Sequence, residues 1–154
     1  MAYIDEARDE ATEDGCVFCD LLARPDEDVF ILKRTANAFV IMNLFPYNPG
    51  HMLISPLRHV GEFPELTQEE LAETGRLMQE SMEVLKAHMA PDGFNIGMNL
   101  GRVAGAGVLG HAHYHVVPRW SGDANFMPVT GETRVMPEDV ATTYRKLLPL
   151  FPSD

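Results

Sequence analysis

Residues 110–120 read GHAHYHVVPRW, and every second residue from His111 through His113 to His115 is a histidine. Successive side chains of a β-strand point to opposite faces of the sheet, so the three imidazoles are predicted to project from one face. The alanine, tyrosine and valine that alternate with them then face a core. Three neighbouring imidazoles are costly to bury unless each finds a partner, so the stretch predicts a strand with a functional face.

Two kinds of chemistry suit such a face. Alternate histidines on a strand can hold a metal through their imidazole nitrogens. They can also surround a phosphate, one imidazole attacking phosphorus while the others neutralise its oxygens. The preceding loop GRVAGAGVLG (101–110) favours the anion, because its glycines let backbone N–H groups approach a phosphate. Histidines held only by backbone groups and solvent are the structural alternative.

Four further segments have the hydrophobic pattern of strands. They are residues 29–34, 38–45, 51–55 and 94–100. Three residues that suit a hairpin turn separate the first two segments, and prolines and glycines interrupt the chain around the others. Together with the histidine strand, they predict an α+β fold whose sheet has about five strands, mainly antiparallel.

One long helix is predicted over residues 67–90, where Thr67 and Glu70 form a capping-box pattern. A shorter C-terminal helix is expected over residues 137–148, with Pro137 in its first turn. Along the long helix, apolar or small residues recur at steps of three and four and predict a core-facing stripe. The stripe consists of Leu71, Gly75, Met78, Met82, Leu85 and Met89.

The composition predicts a single domain with an acidic surface. The chain has 154 residues, of which 45% are hydrophobic, and a net charge of −11, which argues against general nucleic-acid binding. Residues 1–15 are expected to form a flexible acidic leader and residues 16–154 one domain. The acidic N-terminus lacks a secretory signal and no apolar run is long enough for a membrane span, so a cytoplasmic protein that does not bind membranes is expected.

The histidine stretch and its flanks resemble the histidine triad (HIT) family of nucleotide hydrolases and transferases. HAHYHVV (111–117) has the family's pattern of three alternating histidines followed by two apolar residues. FVIMNLFPYNPGHMLISPLRHV (39–60) is similar to the family's first nucleotide-binding segment, and FNIGMNLG (94–101) to its second. The resemblance covers residues 16–128. It implies a HIT-like fold and a homo-oligomer, a dimer or larger.

The resemblance also implies an enzyme that cleaves a nucleotide at its α-phosphate. His113 matches the family's nucleophile, which forms a covalent nucleotidyl-histidine. His115 and His51 match residues that contact the phosphate oxygens, and Asn43 matches the residue that holds the ribose. The positions implied to contact the nucleotide are Asn43, Leu44, Asn99, Gly105, Ala106, Gly107, Val108 and Trp120.

The only two cysteines, Cys16 and Cys19, form a C-x-x-C pair. A disulfide is not expected in the cytosol, and a redox pair would need a strand before it, so zinc fits better, with two free thiols as the alternative. The spacing supplies only two of the four ligands. Resemblance to bacterial HIT proteins implies that His59 and His111 complete the set, giving one structural Zn²⁺ per chain.

The segment VPRWSGDANFMPVTGETRV (117–135) resembles bacterial and archaeal diadenosine polyphosphate phosphorylases, a group close to the Fhit-like hydrolases. The substrate implied is a dinucleoside polyphosphate such as diadenosine tetraphosphate, with inorganic phosphate as co-substrate. Some relatives carry Gly-Ser where this chain has Ala106-Gly107, so water as the acceptor stays open. A Hint-type nucleoside phosphoramidase and a nucleotide-binding regulatory module with little turnover are further alternatives.

Overall fold

The computed structural model describes residues 15–124 and 138–152, in which nine helices and strands follow one another. They are α1 (Val17–Leu22), α2 (Asp26–Val29), β1 (Ile31–Arg34), β2 (Ala38–Met42), β3 (Met52–Pro56), α3 (Gln68–Met89), β4 (Gly93–Met98), β5 (Tyr114–Arg119) and α4 (Val140–Leu147). Single 3₁₀ turns lie at Phe63–Glu65, Arg102–Ala104 and Leu148–Leu150. The acidic leader predicted over residues 1–15 lies outside the described residues, except for Gly15.

The five strands form one antiparallel sheet in the order β1-β2-β3-β5-β4. A tight turn joins the first hairpin, in which the Thr35 N–H donates to the Ala38 carbonyl oxygen at 2.8 Å. The predicted α+β fold with an antiparallel sheet, one long helix and a short C-terminal helix is therefore confirmed. The sheet order places β5 between β3 and β4, so the histidine strand has a neighbour on each side.

The two faces of the sheet are covered by different parts of the chain. On one face, side chains of β2, β3 and β5 such as Val40, Ile54 and Val116 pack with α3 and α4. On the opposite face, Phe39 and Leu53 belong to a cluster with residues of the α1 segment. The histidines project on this second face, because His115 pairs with Leu53, and paired residues share a face.

The long helix α3 has the predicted start, and its buried side includes polar residues outside the predicted stripe. The Thr67 hydroxyl accepts from the Glu70 N–H and the Glu70 carboxylate accepts from the Thr67 N–H, so the capping box is confirmed. The helix ends before Pro91, at Ala90 in a left-handed conformation. The predicted stripe is confirmed for Leu85, which is buried, and for its three methionines, which are partly buried against the core, but not for Leu71 and Gly75. The buried residues are Glu70, Thr74, Leu77, Ser81, Val84 and Leu85.

The reason for this difference is that small polar residues occupy the buried side of α3. The Thr74 hydroxyl donates to the Glu70 carbonyl oxygen, and this internal hydrogen bond lets it lie in the core. Met78, Met82 and Met89 are partly buried and pack against the same core cluster. Gly75 is not a site of close packing, because no other side chain lies within 4 Å of where its Cβ would be.

Several element boundaries also differ from those predicted. β1 begins at Ile31, because Val29 ends α2 and Phe30 has a left-handed conformation with φ of 63°. β5 begins at Tyr114, so two of the three histidines precede the paired strand, although the row keeps its alternation. α4 begins at Val140 after its N-cap residue, while Pro137 lies outside the described residues. None of the described helices is long and apolar enough to cross a lipid bilayer.

Candidate active site

His113 lies at the centre of the histidine row and is nearly buried, with 5% of its surface exposed. Its Nδ1–H donates to the carbonyl oxygen of His111 at 2.9 Å. Because a carbonyl oxygen only accepts, the proton is on Nδ1 and the lone pair on Nε2. Burial lowers the pKa of His113, and the bond to the carbonyl partly opposes this shift. His113 is therefore a neutral imidazole with a basic Nε2, the form that a nucleophile requires.

His51 and His115 form a hydrogen-bonded pair beside His113. The backbone N–H of Tyr47 donates to His51 Nδ1 at 3.0 Å, so a neutral His51 carries its proton on Nε2. This nitrogen donates to Nδ1 of His115, 2.9 Å away. His115 then carries its own proton on Nε2, where it can donate to a ligand. The rings of His113 and His115 are 5.1 Å apart, centre to centre.

Both histidines of this pair are held in the neutral form. Burial is the main cause that lowers the pKa of His51 to about 3, and repulsion by His115 and His113 adds to it. Burial and repulsion by His113 lower the pKa of His115 to about 4. At neutral pH the pair can therefore contact an anion through the oriented Nε2–H of His115, without a full positive charge on either imidazole.

The loop between β2 and β3 places His51 in this position. Gly50 precedes it with φ of 79°, and a Cβ at this residue would lie 2.8 Å from side-chain atoms of Leu85 and Met89. Only glycine combines this backbone conformation with so close an approach to α3. The segment of residues 46–50, which contains two prolines and Gly50, thus fixes the position of His51 just before β3.

Two predicted nucleotide-binding residues lie on the same loop. The Asn43 side-chain oxygen accepts from the Phe45 N–H at 2.9 Å, and its Nδ2 lies 3.3 Å from Nδ1 of His51. Leu44 next to it is exposed. The structure therefore brings Asn43 to the edge of the histidine group. It also brings Tyr47 there, whose ring stacks on His115 with an interplanar angle of 12°.

The glycine-rich loop uses part of its backbone internally. The Gly105 N–H donates to the Arg102 carbonyl at 3.1 Å and the Ala106 N–H to the Gly101 carbonyl at 3.3 Å. These two amides are therefore engaged within the loop and are not available to a phosphate. Val108 packs on the cluster of the α1 segment. Within the described chain, the amides of residues 107 and 108 have no backbone partner.

Asn99 and Trp120, the remaining residues predicted to contact the nucleotide, lie in different parts of the structure. Asn99 follows β4, and its side-chain nitrogen would lie 3.8 Å from a Cβ added at Gly105, so it faces the glycine loop. Trp120 follows β5 and donates its indole N–H to the Met89 carbonyl oxygen at 3.2 Å, at the end of α3. Trp120, one of the residues predicted to contact the nucleotide, is thus held by a hydrogen bond to the backbone at the end of α3.

The four predicted metal ligands come together in space. One possible ligand atom each from Cys16, Cys19, His59 and His111 lies within 4.8 Å of the other three. Cys16 Sγ is 3.4 Å and Cys19 Sγ 3.7 Å from Nδ1 of His111, and Cys19 Sγ is 3.5 Å from Nδ1 of His59. Tetrahedral bonding with ordinary zinc–sulfur and zinc–nitrogen distances gives sulfur–nitrogen separations of about 3.5 Å. The donor set fits a divalent metal.

The orientation of His111 agrees with this use. Its Nε2 lies 2.8 Å from the carbonyl oxygen of Pro56, so Nε2 carries the proton and the lone pair of Nδ1 faces the cysteines. Burial lowers the pKa of His111 to about 4, which favours the neutral ligand form. The backbone carbonyl of His111 meanwhile orients His113, so the metal cluster and the candidate nucleophile share one residue.

A cleft of about 380 Å³ lies beside His115. Its floor is formed by β4 and β5, and its walls by the β2–β3 loop and by the residues that follow β5. The lining residues are Tyr47, Asn48, Asn95, Ile96, Gly97, Asn99, His115, Val117, Arg119, Asp123 and Ala124. Of the residues predicted to act on the nucleotide, the cleft is lined by His115 and Asn99.

Residues 24–122 match the family model described as HIT domain. This chain belongs to the HIT family. The match includes the whole histidine row together with His51 and His59, and it ends just after Trp120. It begins after the two cysteines, so the cysteine pair lies outside the segment that defines a HIT domain.

Named HIT relatives and a solved structure agree with this assignment. An AP-4-A phosphorylase from two strains of Mycobacterium tuberculosis is 41% identical over 130 residues, covering 84% of this chain and 67% of the relative. A bis(5'-adenosyl)-triphosphatase from Dictyostelium discoideum is 35% identical over 89 residues, 58% of this chain and 59% of the relative. A Zn-bound histidine triad family protein from Mycobacterium smegmatis has a TM-score of 0.72 at 24% identity, covering 91% and 95%, and establishes the fold alone.

The HIT site also contains residues that sequence reasoning missed. Phe18, between the cysteines, packs its ring 5.1 Å from that of His113 and 5.3 Å from that of His111. The Ser55 hydroxyl donates to the Ala112 carbonyl oxygen at 2.8 Å and so holds the backbone between His111 and His113. Neither has a sequence signal, because both contacts join segments far apart in the chain. Tyr47 could have been found, since it stands four residues before His51.

Proposed function

We propose that this HIT protein is an enzyme that cleaves dinucleoside polyphosphates, such as diadenosine tetraphosphate, and transfers the nucleotide to inorganic phosphate. The observation that carries the proposal is the hydrogen bond from His113 Nδ1–H to the His111 carbonyl. It leaves Nε2 unprotonated in a buried site, next to an N–H donor on His115. A nucleophile beside a donor for developing negative charge is the arrangement that phosphoryl transfer through a covalent intermediate needs.

In the first step, His113 Nε2 attacks the α-phosphorus of the substrate. The bond between this phosphorus and the bridging oxygen breaks, and the oxygen leaves as part of ATP when the substrate is diadenosine tetraphosphate. The Nδ1–H bond to the His111 carbonyl stabilises the positive charge that His113 acquires. His115 donates from Nε2 to a phosphate oxygen, and His51 holds it in that tautomer.

In the second step, an oxygen of inorganic phosphate attacks the same phosphorus. The phosphorus–nitrogen bond breaks, its electron pair returns to His113 Nε2, and ADP is released. We assign the ribose and nucleoside contacts to Asn43 and Leu44, and the phosphate contacts to Asn99 and the loop of residues 105–108, where the amides of residues 107 and 108 have no backbone partner in the part of the chain that the structure describes. Trp120 is assigned to the edge of the nucleotide site.

The choice of phosphate over water rests on the similarity to the AP-4-A phosphorylase, which is 41% identical to this chain. A specific observation favours water instead. The loop has Ala106-Gly107, which lacks a side-chain hydroxyl that could hold a second phosphate. Water as acceptor would give AMP and ATP, as in a hydrolase. The intact nucleophile weighs against a regulatory module without turnover.

We also propose that Cys16, Cys19, His59 and His111 hold one structural Zn²⁺. The support is the fit of their four ligand atoms to a tetrahedral site. Bound zinc would supply a rigid cross-link and no reaction step. Through this link, the segment that carries Phe18 is fastened against the histidine row. We further propose a homodimer that works in the cytoplasm, where free thiols stay reduced.

The experiment that tests the reaction uses diadenosine tetraphosphate with ³²P-labelled inorganic phosphate. The expected result is labelled ADP together with unlabelled ATP. His113→Asn is expected to abolish turnover because no other group can form the covalent species, and His115→Ala to slow it by about 10²–10³-fold. The exposed His88→Asn is the control and is expected to keep full activity. Full activity in His113→Asn would overturn the mechanism, and AMP with ATP as products would assign water as the acceptor.

A further inference from the structure

The cleft beside His115 has a floor made by alternate residues of two paired strands. On β5 these are His115, Val117 and Arg119, and on β4 they include Asn95 and Gly97. Asn95 pairs with Val117 and Gly97 with His115, so the side chains of both strands share this face. Four residues of extended strand span about 13 Å, so the floor runs that far from the histidines to Arg119.

Gly97 points to a ligand on this floor. It lies within β4 directly opposite His115, and its φ is not in the left-handed region. No atom of another residue lies within 4 Å of where its Cβ would be, so neither backbone nor packing requires glycine here. A glycine inside a strand weakens the strand and marks places where a ligand or another backbone approaches closely.

The far end of the cleft is polar but carries little net charge. Arg119 donates through Nε and Nη2 to the Asp123 carboxylate at 2.6 and 2.7 Å, so the two charges offset each other. The Arg119 Nη1 donates to Asn95, and Asn48 donates to Asp123. An uncharged end with several donors and acceptors suits a sugar and a base better than a phosphate.

The wall and the near end of the cleft offer further contacts to a nucleotide. The Tyr47 ring forms part of the wall and offers an aromatic surface for stacking. At the near end, His115 and Asn99 offer donors to phosphates. Asn43 and Leu44, to which we assign the first nucleoside, do not line the cleft. The cleft therefore starts at the reacting phosphate and leads away from that nucleoside.

We propose that this cleft binds the second nucleoside of a dinucleoside polyphosphate, the part that leaves with the polyphosphate chain. The inference rests on the proposed function and names the part of the site that distinguishes a dinucleotide from a mononucleotide. Arg119 and Asp123 form the polar end that contacts the sugar or base, and Gly97 leaves the space through which the ligand passes.

The test compares diadenosine tetraphosphate with adenosine 5′-tetraphosphate, which lacks only the second nucleoside. Binding is measured by calorimetry in the His113→Asn protein, so that neither ligand is consumed. The dinucleotide is expected to bind about tenfold tighter. Adding Gly97→Val is expected to remove this preference, because a branched side chain fills the floor. Asn95→Ala removes a cleft contact without adding volume, and it is the second variant should Gly97→Val fail to fold.

The matched control is Gly75→Val, the same change on α3, outside the cleft lining and with no other atom of the described residues within 4 Å of where its Cβ would be, and it is expected to keep the preference. Equal affinity of the His113→Asn protein for the two ligands overturns the proposal. So does a preference that survives in every folded variant of Gly97 and Asn95. If the preference and its loss are observed but the wild-type protein does not cleave diadenosine tetraphosphate, the proposed reaction fails and the cleft assignment stands.

Discussion

The chemistry of the site is set by single hydrogen bonds that fix the proton of each histidine. The Tyr47 N–H sets the proton of His51, which sets that of His115, and the His111 carbonyl sets that of His113. Each link uses a backbone group or a ring nitrogen at about 3 Å. Because all three imidazoles are neutral, a change in pH acts on the stability of this group as well as on its reactivity.

We predict that the free energy of unfolding decreases as the pH falls from about 6.5 to about 4. The folded pKa values of His51 and His115 lie at about 3 and about 4, below the ordinary value of 6.5. In this pH window the unfolded chain binds these protons and the folded chain does not, so acid favours unfolding. Above pH 7 both states are deprotonated, and the contribution is constant.

Urea unfolding at pH 7.5 and pH 5 checks this prediction. His115→Asn is expected to lose roughly 1 kcal/mol less than the wild-type protein between the two pH values, after allowance for the partial exposure of this residue. The exposed His88→Asn serves as the control and should lose as much as the wild type. An equal loss in His115→Asn would contradict the assignment of the acid sensitivity to this pair.

Among the helices and strands, α1 is the one that most needs stabilisation by contacts with the rest of the chain. With six residues it is too short to be stable alone, yet it carries Phe18 onto the ring of His113. Cys16 lies at the N-terminal end of α1 and Cys19 lies within it. Both cysteines face His111, which belongs to the histidine row. A metal held by this set would therefore stabilise the helix and one wall of the site together.

We predict that Cys16→Ala lowers the free energy of unfolding by about 2 kcal/mol or more, because a metal that binds only the folded chain stabilises it. A strong chelator is expected to lower the melting temperature of the wild-type protein and to leave that of Cys16→Ala unchanged. Metal analysis should find about one zinc per chain in the wild type alone. If the chelator has no effect on the wild type, the cysteines act by packing only.

At the scale of the whole molecule, β4 is an edge strand with apolar side chains beside it. Ile96 on this strand and Leu100 after it are among the exposed large hydrophobic residues, and Val103 projects completely into solvent. An open strand edge with apolar neighbours is a surface that natural proteins cover. A second copy of this chain is the partner that the proposed homodimer places there.

Light scattering should therefore give about twice the chain mass of 17.2 kDa. Leu100→Lys is expected to shift the protein toward the single-chain mass, because a charge would be buried at the interface. Leu148→Lys replaces an exposed apolar residue on a 3₁₀ turn far along the chain from β4 and serves as the control. A single-chain mass for the wild type would exclude the dimer.

Features that depend on near neighbours in the chain follow from the sequence alone. The alternation of histidines predicted that one face carries all three, and the capping box at Thr67 predicted the start of α3. Hydrophobic patterns predicted the five strands, although their ends differ by a few residues. Strand alternation and helix caps follow from local backbone geometry, so a single sequence is enough to recognise them.

Only the tertiary structure decided which distant groups meet. Cys16 reaches His111 across 95 positions of the chain, and Tyr47 orients His51, which orients His115. The buried side of α3 was also decided there, because the Thr74 hydroxyl satisfies its hydrogen bond within the helix and can therefore lie in the core. The order β3-β5-β4 builds the cleft floor from strands joined by a long loop. The physical reason is that burial, tautomers and clefts depend on contacts between segments, which local patterns do not specify.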